Sequence, residues 1–168
     1  MRHLIFGVLL GLAPFAQAAD EFFTDAFGDM QANAAEAQDS GKAGVFVFFE
    51  MDECPFCDRM KKQVFSRPEV VEYMHDHFVT AAVDIEGDVM ITDFEGAART
   101  QKDFAFREHR VRATPVMIFF DPEGKQATRY TGPVRSPEEF LLLAEFVTSG
   151  AYKEPGMNFV RYKKQQGR

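Results

Sequence analysis

The sequence predicts an α/β fold built on a mixed β-sheet, and three patterns support that class. The apolar run at 45–49 has no polar alternation, as expected of a central strand that is covered on both faces. A segment with helical spacing joins it to a second apolar run at 78–85, and two strands joined through a helix run parallel with a right-handed crossover. A third run at 113–120 precedes a turn at 121–125 and a returning strand at 126–131, which adds an antiparallel hairpin.

A Cys-x-x-Cys motif lies where the first strand gives way to a helix. Cys54 opens this helix, and Pro55 suits its first position because the φ angle of proline is already helical and its missing N–H would have had no partner there. The unpaired N–H groups of a helix start stabilise an ionised sulfur. Cys57, three positions on, faces the same end of the helix and lies within reach of a short disulfide. We therefore predict that Cys54 is the exposed nucleophile and that Cys57 is the resolving thiol.

Two other roles for the cysteines stay open from the motif alone. One is a fixed structural disulfide, although so short a loop stabilises a fold little by chain entropy. The other is a zinc site, which needs two further ligands because the chain has only two cysteines. His75 and His77 are the candidates, but their surroundings also fit the solvated end of a helix. We expect no metal.

Composition and charge bound the class of protein. The chain has 168 residues, enough for one domain with a substantial core, and 46% of them are hydrophobic, including 19 phenylalanines. The formal charge is −7, and no basic stripe occurs before the last few residues, which argues against nucleic acid as a partner.

Residues 1–18 have the pattern of a secretory signal peptide. A positive start precedes an apolar stretch at 4–15 that is too short to span a bilayer comfortably, and Ala16-Gln17-Ala18 resembles a cleavage site. An uncleaved membrane anchor is the alternative. With only two cysteines the chain does not resemble disulfide-rich secreted scaffolds, so we expect the periplasm and no stable membrane insertion after cleavage. We expect one domain at 19–150 and a partly ordered tail at 151–168, whose basic end is a possible docking element.

Capping signals predict the helices before the second strand. The first helix should pack Phe22 and its neighbours on the sheet, with Thr24 or Asp25 as its cap and Gly41 as its end. After the Cys-x-x-Cys helix, Ser66 and Glu69 have the spacing of a capping box that starts a second helix.

Further signals cover the second half of the chain. The acidic stretch at 86–96 has no assigned element or role. Thr100 and Asp103 predict a helix start, and His109 is interpreted as an exposed histidine at the end of that helix, with a catalytic base as the alternative. Ser136, followed by proline and glutamates, should open the last major helix.

In this order of elements the chain resembles the thioredoxin superfamily over most of its length. The features that carry the resemblance are the strand, Cys54-Pro55-Phe56-Cys57 on a helix, a second strand, and Thr114-Pro115 at the head of the next strand, about 60 residues later. The resemblance implies a thioredoxin-like fold with helices on both faces of the sheet. It also implies that Pro115 is the family's cis-proline, that Thr114 offers its backbone to a bound partner strand, and that Pro55 and Phe56 contact substrate.

Within the superfamily the chain looks most like secreted bacterial thioredoxin-related, SoxW-like proteins, with two departures from thioredoxin itself. Pro-Phe stands between the cysteines where thioredoxin has Gly-Pro, a pair closer to glutaredoxins and periplasmic oxidants. Phe48 stands six residues before the first cysteine, where thioredoxin has a buried aspartate. Proton transfer at Cys57 must then use water or another acid, and Glu50 is the nearest candidate, although it could equally be a solvated strand end.

The sequence thus predicts a periplasmic thiol-disulfide oxidoreductase that uses Cys54 and Cys57 and needs no cofactor beyond this redox-active disulfide. Its partners would be protein thiols or disulfides and a membrane-bound electron donor. Acidic residues near Cys54 should offset part of the effect of the helix start, so we expect a reductase rather than an oxidant. The alternatives are a disulfide-forming oxidant, a glutaredoxin-like enzyme, and a peptide-binding adaptor or holdase without redox turnover.

Overall fold

A computed structural model describes residues 21–25 and 28–167, and it confirms a thioredoxin-like fold around a mixed sheet. The predicted signal peptide lies outside the described residues. In chain order, the strands are β1 (Gly44–Glu50), β2 (Phe78–Asp84), β3 (Met90–Thr92), β4 (Ala98–Thr100), β5 (Val116–Phe120) and β6 (Gln126–Thr131). The main sheet has the order β2-β1-β5-β6, and β3 pairs with β4 in a separate small sheet.

The pairing of the strands follows their connections. β1 runs parallel to β2, with Gly44 opposite Phe78, because a helical crossover joins them. β5 is antiparallel to β1, and β6 returns antiparallel to β5 after a short turn, as the hairpin signal predicts. The carboxyl end of β1 therefore lies at the same end of the sheet as the start of β5, where Phe49 pairs with Val116.

The helices are α1 (Met30–Asp39), α2 (Pro55–Met60), α3 (Pro68–His77), α4 (Gln101–Asp103), α5 (Pro137–Thr148) and α6 (Phe159–Gln165). α2 continues as a π-helical turn at Lys61–Phe65, and α4 continues as another at Phe104–Glu108. Two predicted caps are confirmed, because Thr100 accepts a hydrogen bond from the Asp103 N–H and Ser136 accepts one from the Glu139 N–H. Among the described residues, none of these helices has the length and apolar composition needed to cross a membrane.

A separate apolar core covers each face of the main sheet. Alternate residues of β1 explain this, since Phe46 and Phe48 point to one face while Val47 and Phe49 point to the other. The first core contains both cysteines and the inner face of α5, and the second contains α1. β1 is thus buried on both sides, as its unbroken apolar sequence predicts.

The first helix begins later than the sequence predicts. Its N-cap is Asp29, which accepts a hydrogen bond from the Ala32 N–H, whereas Thr24 donates its backbone N–H to the Thr80 carbonyl at the edge of β2. Phe22 precedes the helix and is fully buried, with its ring stacked on Phe65 at 4.3 Å. Capping signals alone could not separate a helix start from a segment that pairs with a strand edge.

The predicted capping box of Ser66 and Glu69 is also wrong. Ser66 donates its hydroxyl to the Lys62 carbonyl of the preceding turn, and Arg67 is the residue at the start of α3. Pro68 at the first helical position makes a side-chain cap less necessary, because it has no N–H to satisfy.

The stretch at 86–96, left without an element in the sequence analysis, contributes to the β3–β4 hairpin. Asp93 is fully buried and accepts hydrogen bonds from the backbone N–H groups of Glu95 and Ala97 and from the Arg99 guanidinium. Burial alone would raise the pKa of Asp93, but these donors hold it below its ordinary value.

Residues 151–167, set apart above as part of a tail, contain a 3-10 turn at Ala151–Lys153 and the helix α6. Phe159 of α6 is 8% exposed, and its ring lies 6.2 Å from that of Phe146 in α5. The segment is held by an aromatic contact that helix-period counting did not detect.

Candidate active site

The two cysteines lie at the carboxyl end of β1, as the order of strand, turn and helix predicts. The chain leaves β1 at Glu50, and Cys54 is the N-cap of α2. The Sγ atoms of Cys54 and Cys57 form a disulfide with a bond of 2.09 Å, and the Cα atoms are 5.2 Å apart. Cys54 is 6% exposed and Cys57 is 1% exposed, so Cys54 is the more accessible residue although both are buried.

Two hydrogen-bond donors converge on the sulfur of Cys54. The backbone N–H of Cys57 donates to Cys54 Sγ at 3.2 Å, which is the capping bond of α2. The hydroxyl of Thr114 donates to the same atom, also at 3.2 Å, from the loop before β5. Donors of this kind stabilise a thiolate more than a thiol, so the arrangement favours ionisation at Cys54.

The residues that the resemblance assigns to substrate binding surround this sulfur. The Thr114–Pro115 peptide bond is cis, Thr114 is half-buried and Pro115 is buried. Pro55 and Phe56 form the first turn of α2, and Phe56 is 52% exposed, an unusual degree for so large an apolar ring. The structure thus brings Pro55, Phe56 and Thr114 together around Cys54, with Pro115 next to Thr114.

Glu50, the predicted candidate for proton transfer, lies at the end of β1 and forms an ion pair with Lys61, with 2.5 Å between Oε2 and Nζ. It lines a cavity of about 180 Å³ that also reaches Cys54. Asp84, its partner in the β1–β2 register, lines the same cavity. Phe48 is fully buried in the core that contains both cysteines, and it leaves no carboxylate at that position.

His109 lies at the end of a helical turn, as the sequence analysis expects, but it is half-buried and not exposed. Its ring packs against Phe49, Phe104 and Phe120, which belong to the core on the face of the sheet opposite the cysteines. Its Nε2 atom is buried, and no group among the described residues hydrogen-bonds to it. Burial, with a smaller contribution from Arg129, lowers the pKa of His109 from 6.5 to about 4. A neutral histidine on the far side of the sheet does not serve the cysteines as a base.

The histidines considered above as zinc ligands have backbone partners. His75 Nε2 lies 3.1 Å from the Phe22 carbonyl oxygen, and His77 Nδ1 lies 2.8 Å from that of Tyr73. Both cysteines are joined in the disulfide. The structure does not bring these four side chains together as a ligand set.

One other group of described side chains has the spacing of metal ligands. Carboxylate oxygens of Asp93, Glu95 and Glu108 lie within 4.8 Å of one another. Arg99 forms ion pairs with both Asp93 and Glu108. A guanidinium therefore already balances this cluster, which we interpret as an ion-pair network of the β3–β4 hairpin.

Two features of the site were not predicted. The sequence analysis gave Thr114 a backbone role only, and Lys61 was not paired with any particular acid. A Thr directly before a strand-initial Pro is only a weak sequence signal for a side-chain contact with Cys54, because the two residues are 60 positions apart in the chain. The Glu50–Lys61 pair depends on how the strand and the π-helical turn after α2 come together.

Comparisons with known proteins agree on the fold. A family model described as a thioredoxin-like domain matches residues 30–148. A thioredoxin-fold protein from Helicobacter pylori aligns with a TM-score of 0.65 and 20% identity, over 90% of this chain and 91% of that one. A thioredoxin from Thermus thermophilus aligns with a TM-score of 0.55 and 28% identity, over 77% of this chain and 95% of that one. A structure described as DsbH oxidoreductase aligns with a TM-score of 0.56 and 17% identity, over 85% of this chain and 94% of that one. No curated protein sequence matches this chain.

Proposed function

Because the chain belongs to the family of thioredoxin-like domains, we propose that it is a periplasmic thiol-disulfide oxidoreductase acting on cysteines of other proteins. The fold and the Cys54–Cys57 disulfide are consistent with that activity. The observation that carries the proposal is the environment of Cys54, whose sulfur accepts two hydrogen bonds at a helix start beside the exposed ring of Phe56. The thioredoxin and the DsbH oxidoreductase among the structural neighbours support the same reaction class.

The proposed reaction is a pair of thiol-disulfide exchanges. The thiolate of Cys54 attacks one sulfur of a substrate disulfide, which forms a mixed disulfide and releases the other substrate sulfur as a thiolate that takes up a proton. Cys57 then loses its proton and attacks Cys54 Sγ, which closes the Cys54–Cys57 bond and releases the second substrate thiolate. Two electrons and two protons pass to the substrate, and an external dithiol must return them.

Glu50 is the side chain that we propose for the proton of Cys57, with water in the adjoining cavity as the relay. Its partner Lys61 and its neighbour Asp84 set the charge around that path. The thioredoxin-type acid at position 48 is replaced by phenylalanine, so a proton carrier from outside the core is required.

We propose that the protein works as a reductase and that a membrane-bound donor resupplies its electrons. Asp52, Glu53 and Asp58 lie near the sulfur, and within the described part of the chain none of them forms an ion pair with a cation. Their negative charge opposes the thiolate and disfavours the reduced form, which is the charge pattern of a reducing protein. The proposal of a periplasmic location depends on the predicted signal peptide, and the likeness to SoxW-like proteins stays a prediction.

The experiment uses two cysteine variants as each other's control. We expect wild-type protein with dithiothreitol to reduce insulin disulfides, and both Cys54→Ala and Cys57→Ala to abolish this turnover. Cys57→Ala should accumulate a mixed disulfide with a substrate protein, whereas Cys54→Ala should form none, as measured by non-reducing mass spectrometry.

A different pattern would assign another function. Insulin reduction that is unchanged in Cys54→Ala would contradict the proposal, and peptide binding without any redox turnover would favour an adaptor. A requirement for glutathione in place of dithiothreitol would favour the glutaredoxin-like alternative.

A further inference from the structure

We propose that a groove beside the Cys54–Cys57 pair binds an acidic segment of the substrate protein. The inference rests on the proposed function and names its substrate class. The groove, called here the cationic groove, has a volume of about 520 Å³ and lies between α2 with its π-helical turn and the start of α5. Its apolar floor is formed by Met60, Val64 and Val134, which are all buried.

The charge of the groove is entirely of one sign. Arg59, Arg67 and Arg135 line it, all three are exposed, and no acidic residue is among the lining side chains. Within the described residues, none of these arginines forms an ion pair. Three unpaired guanidiniums around one groove are best matched by carboxylates, which they can bind through two parallel hydrogen bonds.

The acids closest to the groove are already occupied. Glu139 forms an ion pair with Lys163 and accepts a hydrogen bond from the Arg135 backbone N–H. The pKa of Glu138 lies below its ordinary value, mainly because of a hydrogen bond with Ser136 and only in small part because of Arg67. Arg67 donates a hydrogen bond from Nε to the Gln63 carbonyl at 3.3 Å. Its terminal N–H groups and the guanidiniums of Arg59 and Arg135 are available to an incoming anion.

Neither cysteine lines the groove, but Arg59 brings its rim next to the residue between them. The guanidinium of Arg59 lies over the ring of Phe56, 5.3 Å from its centroid, and Phe56 stands between the two cysteines. A substrate strand whose cysteine reaches Cys54 would pass over Phe56, and its flanking residues would then meet Arg59. A carboxylate a few residues from the reactive cysteine would thus enter the groove.

The cavity that reaches Cys54 has the opposite charge. The smaller cavity at Cys54 is lined by five acids and by Lys61 alone among cations. The whole chain is acidic, with a formal charge of −7. An acidic segment would be repelled by most of this surface and attracted to the cationic groove, which favours one direction of binding across the disulfide.

The groove is extended in one direction by a neighbouring cavity. A second cavity, of about 220 Å³, shares Arg135 and Ser136 with the groove and continues it along α5 towards Lys163. This second cavity is lined by Glu138 and Glu139 as well as by Arg135 and Lys163, so its lining charges balance. An extended peptide could follow both cavities, but its carboxylates would be attracted to the cationic groove itself.

The test compares two cysteine peptides, each joined by a disulfide to a chromogenic thiol. One carries a run of glutamates beside its cysteine, and the other carries glutamines at the same positions. At low ionic strength we expect reduced wild-type protein to release the chromophore from the acidic peptide about fivefold faster, since exposed charge pairs contribute roughly 0.2–1 kcal/mol each. The double variant Arg67→Gln, Arg135→Gln should lower this preference to less than about twofold, and added salt should do the same.

The matched control is the double variant Lys62→Gln, Lys164→Gln. It removes the same charge from exposed residues that do not line the groove, and it should keep the full preference. Binding is also measured by fluorescence anisotropy with oxidised protein and peptides that carry serine in place of cysteine, which needs no redox chemistry.

The two readouts separate the failure of the groove from the failure of the function. Equal release from both peptides, or equal losses in both double variants, would overturn the groove proposal and leave the oxidoreductase intact. Binding of the acidic peptide without reduction of either peptide would overturn the proposed function and hence the peptide's role as substrate. Reduction of glutathione disulfide with the same dependence on Arg67 and Arg135 would assign the groove to a small tripeptide and overturn the proposal.

Discussion

Thr114 links the loop before β5 to the reactive sulfur through its side chain. Its hydroxyl donates to Cys54 Sγ at 3.2 Å, and it is the only side chain within the described residues that hydrogen-bonds to that atom. The backbone N–H of Cys57 is the other donor, and it cannot be removed by substitution of a side chain. Thr114 is therefore the position at which hydrogen bonding to the sulfur can be altered selectively.

We predict that Thr114→Val raises the midpoint of thiolate formation at Cys54 by about one pH unit, since a hydrogen bond to a charged group contributes about 1.5–3 kcal/mol. Valine keeps the shape of threonine and removes only the donor. Thiolate absorbance of the reduced protein measures the midpoint. Thr128→Val, on β6, makes the same chemical change away from the sulfur and should leave the midpoint unchanged. An unchanged midpoint in Thr114→Val would mean that the hydroxyl does not bond to the reduced sulfur.

His109 couples the stability of the fold to pH. Its pKa of about 4 in the folded protein lies below the ordinary value of 6.5, because burial among aromatic rings disfavours the charged form. Between these two values the unfolded chain binds more protons than the folded one. Stability is therefore fully present above pH 6.5 and falls as the pH is lowered towards 4.

We expect the loss of unfolding free energy over this window to be about 2–3 kcal/mol in the wild type. The His109→Leu variant should lose less unfolding free energy than the wild type over the same window, by the same amount, because leucine is neutral at every pH. Urea unfolding at several pH values measures the difference. His77→Gln is the matched control, since His77 lies at the end of α3 with its Nδ1 at the Tyr73 carbonyl. If His77→Gln flattens the curve instead, the assignment to His109 is wrong.

At the level of elements, local signals predicted the strand, turn and helix around Cys54 correctly, because each signal acts within a few residues. The β5–β6 hairpin and the Ser136 cap were predicted for the same reason. Features that depend on distant parts of the chain were not predictable. The burial of His109, the early strand-edge contact at Thr24 and the packing of α6 all arise when separate elements meet.

The docking of α6 gives a test of one such contact. Phe159 is 8% exposed and its ring lies 5.9 Å from Tyr130 and 6.2 Å from Phe146, whereas the next residue, Val160, is 75% exposed. We predict that Phe159→Ala lowers the free energy of unfolding by about 2–3 kcal/mol and that Val160→Ala changes it by less than about 0.5 kcal/mol. Denaturant unfolding measures both. Equal effects of the two substitutions would show that α6 does not pack on α5 in solution.

For the whole molecule, the disulfide and the acids beside it lie at one end of the main sheet. The carboxyl end of β1 carries the disulfide and the acids of the turn, while the turn between β5 and β6 lies at the opposite end, since Phe120 pairs with Val45. The cationic groove is lined by residues of α2, its π-helical turn and the start of α5. The acidic cavity is lined mainly by the end of β1 and the turn before Cys54, with Asp58, Lys61 and Asp84. The acids near Cys54 follow from the local sequence, but no local pattern predicted the cationic groove, because its residues come from separate segments of the chain.

The acidic residues near Cys54 should also influence the redox potential of the disulfide. Removing negative charge near Cys54 stabilises its thiolate, and a more stable reduced form makes the protein a stronger oxidant. We expect the wild-type potential to lie nearer to about −270 mV than to about −120 mV, and the double variant Asp52→Asn, Glu53→Gln to raise it by about 10–20 mV, because 30 mV corresponds to about 1.4 kcal/mol. Asp39→Asn with Glu123→Gln removes the same charge near the amino end of β1 and should leave the potential unchanged. Equilibration with defined ratios of reduced and oxidised dithiothreitol or glutathione measures the potential of all three proteins.

A wild-type potential near that of a strong oxidant would reverse the proposed direction of electron flow. Equal shifts in both double variants would assign the effect to net charge rather than to the acids beside the sulfur.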